Sequence, residues 1–380
     1  MRYVQSITDV FTTYLGWHRA WLKFIARFQA ALLMPQTTNL ANLAASLKGR
    51  GQIASNYRRI QRFLSDHEVD FTALGRLLVH LLPQNEPYVA VLDRTEWYFG
   101  STPVNILMIG IAHKGVVFPV VWKVLPNGGG SGSGAHIDVL ERFLAIVAPE
   151  AIKAVVADRE FIGTDWLLVL QEQPIPFAIR LRSNRRIRYS DGDSNPGSAL
   201  PLRMFARTVA LNAEQMLEGD RYLIGTEGQK VPVRVVIRRI ASDKTSHDTD
   251  DPFLILATYD LDPTEASALY RKRWKIETLF TALKSRGYDL EATHVTEPGR
   301  MQRLLGLLAL TFAWTHLVGE KRALWKGPSP EKAHQRRAKS LFQYGLDGLQ
   351  HLLTTPEQQD AALFRCLSML QRPPAHVPYG

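Results

Sequence analysis

The chain has 380 residues, a length at which two or three domains are expected. Of these residues, 46% are hydrophobic and 22% charged, a composition typical of globular proteins. Its formal charge of +10 indicates a polyanionic partner, nucleic acid before membrane. A single cysteine, Cys366, excludes an internal disulfide framework or a cysteine-based zinc site and fits a reducing cytosol. We find no secretion signal after Met1, and the longest apolar run, 304–318, is too short to span a bilayer.

Residues 1–82 have the apolar spacing of helices. Four aromatic residues follow one another at i, i+4, i+7 and i+11, namely Trp17, Trp21, Phe24 and Phe28. A short helix over 40–47, a glycine-bearing turn at 48–51 and a second helix over 52–64 come next. This order predicts a helical N-terminal domain.

The second of these helices is basic, with Arg58, Arg59 and Arg62 on it. Two helices joined by a short turn match a helix-turn-helix whose second helix enters a DNA groove. An ordinary helical hairpin with a solvated basic edge is the alternative. The nine basic and four acidic residues of 1–70 favour DNA contact.

From Tyr88 the pattern becomes β-rich. A buried strand over 88–92 ends at Asp93, and strands over 104–112 and 116–124 flank a hairpin turn at His113-Lys114-Gly115. These predict a three-stranded antiparallel start. The glycine-serine stretch 127–134 reads as a flexible connector to which we assign no chemistry.

Further along, the pattern alternates between helices and strands. We predict a helix over 136–147, a strand over 154–157 that stops at Asp158, a helix over 164–172 and a strand over 176–182. Residues 183–252 read as a β-rich insertion with basic loops and strands at 221–226 and 231–240, before an apolar strand at 253–258.

The stretch 269–287 reads as one helix that ends at Gly287. At about 100° per residue, four of its polar residues fall within an arc of roughly 60°, namely Tyr270, Arg273, Glu277 and Lys284. The rest of the chain reads as helical and basic, with a cluster formed by Lys332, Arg336, Arg337 and Lys339. Between 269 and 340 there are 15 basic and 6 acidic residues.

Three carboxylates make up the candidate chemistry: Asp93 and Asp158 end apolar strands, and Glu277 lies on the helix after a third strand. Acidic groups that meet at one point repel one another unless cations neutralise them, and Mg²⁺ or Mn²⁺ bound by oxygens is the usual solution. Two such ions can activate water or a 3′-hydroxyl for in-line attack on phosphorus. Taken singly, each aspartate could be a helix cap and Glu277 a member of a surface ion-pair series.

The spacing Tyr270-x2-Arg273-x3-Glu277-x6-Lys284 resembles the signature of the insertion-sequence-four family of bacterial DDE transposases. Two strand-end segments, Leu92-Asp93-Arg94-Thr95 and Ala157-Asp158-Arg159-Glu160-Phe161, resemble the two aspartate motifs of that family. The resemblance extends from about Tyr88 to Ser340, interrupted by the insertion.

The resemblance implies an α/β protein: an RNase H-like mixed-sheet catalytic core with a β-rich insertion, flanked by an N-terminal helical domain and C-terminal helices. The expected divisions are 1–82, 83–182, 183–252, 253–300 and 301–380.

Asp93, Asp158 and Glu277 would be the catalytic metal ligands for two Mg²⁺ ions, with Mn²⁺ as a substitute. Tyr270 would contact the terminal phosphate, and Arg273 and Lys284 would contact phosphates near the cut. The N-terminal helices would contact DNA through Arg58, Arg59 and Arg62. For Arg159, a phosphate contact and a local ion pair are both open.

The implied reaction is cut-and-paste transposition of an insertion sequence, with cleavage at the element ends and strand transfer into target DNA. Partners would be double-stranded DNA and a second copy of the chain, because two ends must be held together, with no membrane. A cytoplasmic bacterial protein that joins the nucleoid when bound to DNA is expected. A metal-dependent nuclease or resolvase and a domesticated DNA-binding protein are the alternatives, and the intact carboxylates argue against the second.

Relatives often release the element through a hairpin and hold a flipped base on an aromatic side chain of the insertion. Between 183 and 258 there is no tryptophan, and the available substitutes are Tyr189, Phe205 and Tyr222.

Overall fold

The computed structural model describes residues 2–47, 51–82, 87–189, 199–217, 221–224, 229–239, 252–332, 337–354 and 366. Most of the predicted turn at 48–51, Arg336 and the side chain of Tyr189 lie outside the described residues. The helical N-terminal region is confirmed, with five helices: α1 (Arg2–Tyr14), α2 (Arg19–Leu33), α3 (Leu40–Ser46), α4 (Ile53–Asp66) and α5 (Phe71–His80).

Helices α3 and α4 are held together by a side chain. The Asn56 amide of α4 donates to the carbonyl oxygens of Ala44 (3.1 Å) and Leu47 (3.2 Å), which satisfies carbonyls at the end of α3 that have no intrahelical partner. One face of α4 is buried through Ile60, Phe63 and Leu64. The opposite face is left to solvent, as the amphipathic sequence predicts.

A mixed sheet forms the centre of the molecule. The first three strands, β1 (Tyr88–Phe99), β2 (Thr102–His113) and β3 (Val116–Leu125), pair antiparallel, which confirms the predicted start. The turn between β2 and β3 has positive φ at Lys114 (37°) and Gly115 (92°), as tight hairpins require. However, β1 continues to Phe99, so Asp93 lies inside the strand and the predicted strand end at Asp93 is wrong. The reason is that residues 93–99 keep pairing with 102–108 of β2.

After β3 the chain crosses over the sheet through α6 (Ser133–Leu144) and returns as β4 (Ile152–Ala157), parallel to β1. The crossover repeats through α7 (Thr164–Glu172) to β5 (Phe177–Leu181), parallel to β4. Asp158 directly follows β4, as predicted. The stretch 127–134 is more ordered than expected of a connector, since α6 begins at Ser133 and the Gly129 amide donates to both carboxylate oxygens of Glu96 at 3.2 Å.

The insertion extends the same sheet. Its described elements are β6 (Arg186–Tyr189), β7 (Leu200–Pro201), α8 (Leu202–Ala206), β8 (Glu214–Met216), β9 (Arg221–Ile224) and β10 (Lys230–Arg239). β10 pairs antiparallel with β11 (Phe253–Tyr259), which pairs antiparallel with β5. Hydrogen bonds therefore run without interruption from the central strands into the insertion.

The expectation of one helix over 269–287 is wrong. The chain forms α9 (Pro263–Tyr270), a 3₁₀ segment over Arg271–Trp274 and α10 (Lys275–Lys284). A 3₁₀ helix has three residues per turn instead of 3.6, so each residue rotates about 20° further than in an α-helix. This additional rotation accompanies a buried Arg273, whose exposed fraction is 4%.

The C-terminal half ends with α11 (Pro298–Lys326) and α12 (Leu341–Thr354). Residues 304–320 of α11 are buried, which confirms the predicted core helix, and Arg303 donates to the carbonyl oxygens of Leu64 (3.0 Å) and His67 (2.7 Å) at the end of α4. The basic residues Lys332, Arg337 and Lys339 precede α12 and lie outside any helix, so the expectation of a continuous helical end is wrong there. None of the described helices combines the length and the apolar character needed to cross a membrane.

The contact between α11 and α12 gives a stability prediction. A Cβ atom on Gly345 would overlap the carbonyl oxygen of Thr315, whereas one on Gly348 would meet only the flexible Arg322 side chain, at 3.2 Å from Nη1. Alanine raises helix propensity equally at both positions. We expect Gly345→Ala to be less stable than Gly348→Ala by about 1–3 kcal/mol in urea unfolding, because backbone atoms cannot yield as a side chain can. Equal stability of the two variants would contradict this packing.

Candidate active site

Two aspartates lie side by side at the centre of the sheet. Leu92 of β1 is the register partner of Ala157 of β4, so that Asp93 and Asp158 follow at the same level on neighbouring parallel strands. Adjacent strands lie about 4.8 Å apart and residues in register point to the same face. Each aspartate accepts, through Oδ1, the amide of the next residue at 2.8 Å, from Arg94 and Arg159 respectively.

A buried guanidinium joins the first aspartate to the helix glutamate. Arg273 Nη1 lies 2.9 Å from Asp93 Oδ2, and Arg273 Nη2 lies 3.2 Å from Glu277 Oε1. Glu277 is on α10, one turn after Arg273, and its side chain is partly exposed. The structure therefore brings Asp93 and Glu277 to two sides of one cation.

The second aspartate is reached by a tyrosine. The hydroxyl of Tyr270 donates to Asp158 Oδ1 at 3.4 Å, and the ring is buried. Burial, followed by the negative charge of Asp158, raises the pKa of Tyr270 to about 12, so the phenol keeps its proton at neutral pH. Through Arg273 and Tyr270, all three predicted carboxylates belong to one connected site.

Negative charge in this site is in excess. Burial raises the pKa of Asp93 from 3.8 to about 6, and the carboxylates of Asp158 and Glu160 add to the shift, against the lowering effect of Arg273. Glu160 does not pair with Arg159, the local ion pair considered above; it accepts from Arg94 at 3.1 Å and 3.2 Å. Arg94 also pairs with Glu96 at 2.7 Å.

A model of the transposase DDE domain family matches residues 87–314. That range covers more than half of the chain and includes Asp93, Asp158 and Glu277. The chain belongs to the transposase DDE domain family. No curated protein matches it.

In this DDE domain Lys284 lies in the same region as the acids without touching them. Its ammonium pairs with Glu291 at 2.9 Å, donates to the carbonyl oxygen of Glu96 at 3.2 Å and lies 5.4 Å from the centre of the Trp97 ring. These contacts fasten the end of α10 to β1. The predicted phosphate contact of Lys284 stays a prediction.

An exposed aromatic side chain accompanies the site, and the sequence reasoning missed it because it searched the insertion alone. Trp274 is 46% exposed, and the guanidinium of Arg273 lies 4.9 Å from its ring centre. Its position between Arg273 and Glu277 in the motif was the available signal. Of the substitutes proposed in the insertion, Phe205 packs under Arg221, 5.9 Å away, and Tyr222 is half-buried.

Arginines of the insertion continue the site on one side. A depression next to Asp158 has a cavity volume of about 740 Å³ and is lined by Arg159, Arg182, Arg185, Arg186 and Arg188 together with Asn184. The sequence predicted basic loops there but not that three of their arginines, Arg185, Arg186 and Arg188, share one space with Arg159 and Arg182. Arg159, which directly follows Asp158, thus lies in cationic surroundings.

The arginines of α4 lie elsewhere, on the solvent face of the N-terminal region. Arg58 and Arg62 are exposed, and they line a depression of about 870 Å³ with Arg300, Gln52 and Ser55. Arg59 is half-buried beside the packed face. The family match begins at residue 87, so it leaves this region uncharacterised.

A second cluster of metal-ligating residues has no signature in the sequence, because His113 lies some 200 positions before His316 and Glu320. One ligand atom each of His113, His316 and Glu320 lies within 4.8 Å of the other two. Among the described residues, this is the one group of three metal-ligating side chains so close together. The three acids of the DDE site, with Arg273 between them, are spaced more widely. Burial lowers the pKa of His316, and contacts with both histidines and Lys114 hold the pKa of Glu320 well below its usual range.

The raised pKa of Asp93 predicts a pH-dependent stability. Because the folded state binds this proton more tightly than the unfolded chain, the contribution of Asp93 to wild-type stability falls as pH rises from about 4 to about 7. Asp93→Asn lacks the carboxylate and therefore lacks this loss. In urea unfolding with a chelator present, the free energy of unfolding of Asp93→Asn relative to wild type should rise by about 1–4 kcal/mol over that pH interval. Asp138→Asn, which removes an exposed carboxylate, is the matched control. A pH-independent difference between wild type and Asp93→Asn would show that Asp93 does not titrate in this range.

Proposed function

We propose that this chain is a cut-and-paste transposase of the insertion-sequence-four kind, which binds element ends, hydrolyses phosphodiester bonds and transfers the freed strand into target DNA. One observation carries the proposal: the buried Arg273 touches both Asp93 and Glu277, while Tyr270, three residues earlier, touches Asp158. Residues of the signature thus meet, in one site, the two aspartates of the strand-end segments, which are far away in the sequence. The strand order β3-β2-β1-β4-β5 supports an RNase H-like core.

The donor set suits a hard divalent cation. Asp93, Asp158 and Glu277 offer only carboxylate oxygens, which Mg²⁺ and Mn²⁺ prefer. The pKa of Asp93 is raised mainly by burial and further by the carboxylates of Asp158 and Glu160, whose negative charge such a cation would offset. These three residues would hold one or two such ions, whose chemistry would be to activate the attacking oxygen and to stabilise the leaving one.

The chain's own cations would position the DNA. Arg273 presents a planar fork of donors and holds Asp93 and Glu277 in place, so its predicted contact with a phosphate would require one of these two ion pairs to open. Tyr270 keeps its proton and can donate to a terminal phosphate. Trp274 offers an exposed ring next to them, a stacking surface for a base that has left the duplex.

Two arginine-lined depressions would receive the DNA beyond the cut. The depression next to Asp158 would hold the backbone near the reacting phosphate, and the one formed by α4 would bind the element end. Because two ends must be joined in one reaction, we expect a dimer in the DNA complex. The divisions at 82, 182, 252 and 300 belong to the same proposal.

The test of the reaction uses Glu277→Gln, which keeps the size of the side chain and removes its charge. Labelled duplexes that carry the two DNA borders of this protein's gene are incubated with the full chain and Mg²⁺. We expect wild type to cut and join them, and Glu277→Gln to lose strand cleavage while border binding stays within a few-fold of wild type.

Glu265→Gln, on α9 and paired with Lys153, removes the same charge outside the site and should cleave normally. Equal loss of binding and cleavage in Glu277→Gln would mean that Glu277 is structural. If the wild type nicks the duplexes but forms no joined product, a nuclease or resolvase would be favoured. If it binds the duplexes without cleaving them, a DNA-binding protein would be favoured.

A second test addresses the N-terminal helices. Arg62→Ala should weaken border binding and reduce the slope of log K against log salt by about one, because one phosphate contact is lost. Arg76→Ala, another exposed arginine, on α5, is the matched control. Unchanged affinity and salt slope in both Arg62→Ala and Arg58→Ala would remove the assignment of α4 as a DNA-binding helix.

A further inference from the structure

Three side chains from two distant segments meet where the β2–β3 hairpin touches α11. His113 Nε2 lies 2.6 Å from Glu320 Oε1, and His316 Nε2 lies 3.4 Å from the same oxygen. His316 and Glu320 are four residues apart on α11, hence on one helix face, and His113 is the last residue of β2. Two imidazole nitrogens and a carboxylate oxygen therefore surround one point.

The surroundings leave one of these ligands without a hydrogen bond. His316 is 1% exposed, and neither of its ring nitrogens makes a hydrogen bond; the contact of Nε2 with Glu320 Oε1 at 3.4 Å is an ion-pair contact without hydrogen-bond geometry. The rings of Phe118 and Phe312 pack against it, with centroid distances of 5.5 Å and 6.3 Å. A buried imidazole without a hydrogen bond costs free energy, which a bound cation at Nε2 would recover.

We propose that His113, His316 and Glu320 form a binding site for a divalent cation of the zinc type, separate from the carboxylate site. Zinc takes nitrogen and oxygen ligands at about 2.0–2.1 Å in a tetrahedron, which separates ligand atoms by roughly 3.3 Å. The 3.4 Å between His316 Nε2 and Glu320 Oε1 already has this value, and the His113 contact has only to open slightly. Two histidines select against Mg²⁺, which prefers oxygen ligands.

Lys114 is compatible with this site. Its ammonium binds Glu320 Oε2 at 2.7 Å, the oxygen turned away from the histidines, and leaves Oε1 for the cation. The side chain of Lys114 is 56% exposed, so its charge is screened by solvent. An acceptor or donor on the second oxygen of a metal-bound carboxylate commonly fixes its orientation.

The site would fasten one part of the fold to another. His113 comes from the turn end of the hairpin that forms the outer strands of the sheet, and the other two ligands come from the long core helix. A cation there would bind only the folded chain, so it would stabilise the native state by mass action. The site lies on elements that also position β1, although none of its residues belongs to the carboxylate site.

The test is a Zn²⁺ titration of the chelator-treated full chain, in excess Mg²⁺ so that oxygen-only sites are occupied. We expect one Zn²⁺ per chain by calorimetry, a higher Tm with Zn²⁺, and the intense visible absorption of four-coordinate Co²⁺ when cobalt replaces zinc. His113→Gln and Glu320→Gln should each weaken the affinity about 10-fold or more.

His294→Gln, which removes an exposed imidazole outside the cluster, is the control and should bind as wild type does. Absence of Zn²⁺ binding by the folded wild type, or equal affinity in all variants, would overturn the proposal. If the cluster variants fail to fold, the wild-type Co²⁺ spectrum decides: weak absorption typical of six oxygen ligands would exclude histidine ligation.

Discussion

The site depends on one ion-paired guanidinium. Arg273 is almost fully buried, and a buried cation requires anions at hydrogen-bond distance, which Asp93 and Glu277 supply. The converse also holds, because carboxylates gathered in a buried place cannot all stay ionised without a cation among them. Arg273 and Asp93 thus stabilise one another, and removal of either leaves an uncompensated charge in the interior, whereas the side chain of Glu277 is partly exposed. The 3₁₀ turn over Arg271–Trp274 is the local conformation in which Arg273 reaches both acids.

The positions of the aspartates depend in turn on strand register. Leu92 pairs with Ala157 between β1 and β4, and a slip of one residue would move an aspartate to the other face of the sheet. That register is fixed by the apolar side chains of both strands, which are buried on both faces. The arrangement of the two aspartates is therefore held by the core and not by the polar residues themselves.

The excess of positive charge is divided between two uses. Arg94 and Arg273 are engaged by carboxylates inside the site, where they offset local negative charge. Others face solvent in the two depressions, such as Arg58 and Arg62 on α4, Arg182 just before the insertion and Arg186 within it. Only the second group is directly available to a polyanion, so the formal charge of the chain overstates the charge that DNA would meet. The family match supports a transposase function, for which both uses are needed.

The sequence by itself determined the order of helices and strands, since periodicity and turn residues are local signals. For example, α7 was predicted at its observed bounds, and the β2–β3 turn was predicted at His113-Lys114-Gly115, where it is observed. It also determined the candidates: Glu277 from the spacing of Tyr270, Arg273, Glu277 and Lys284, and Asp93 and Asp158 from the two strand-end segments that contain them. Only the tertiary structure decided that β1 continues past Asp93, that the segment after Tyr270 tightens into a 3₁₀ turn, and that His113 meets His316 and Glu320. Packing between elements determines strand pairing, the burial of a cation and the contacts between residues some 200 positions apart. No window of local sequence contains that information.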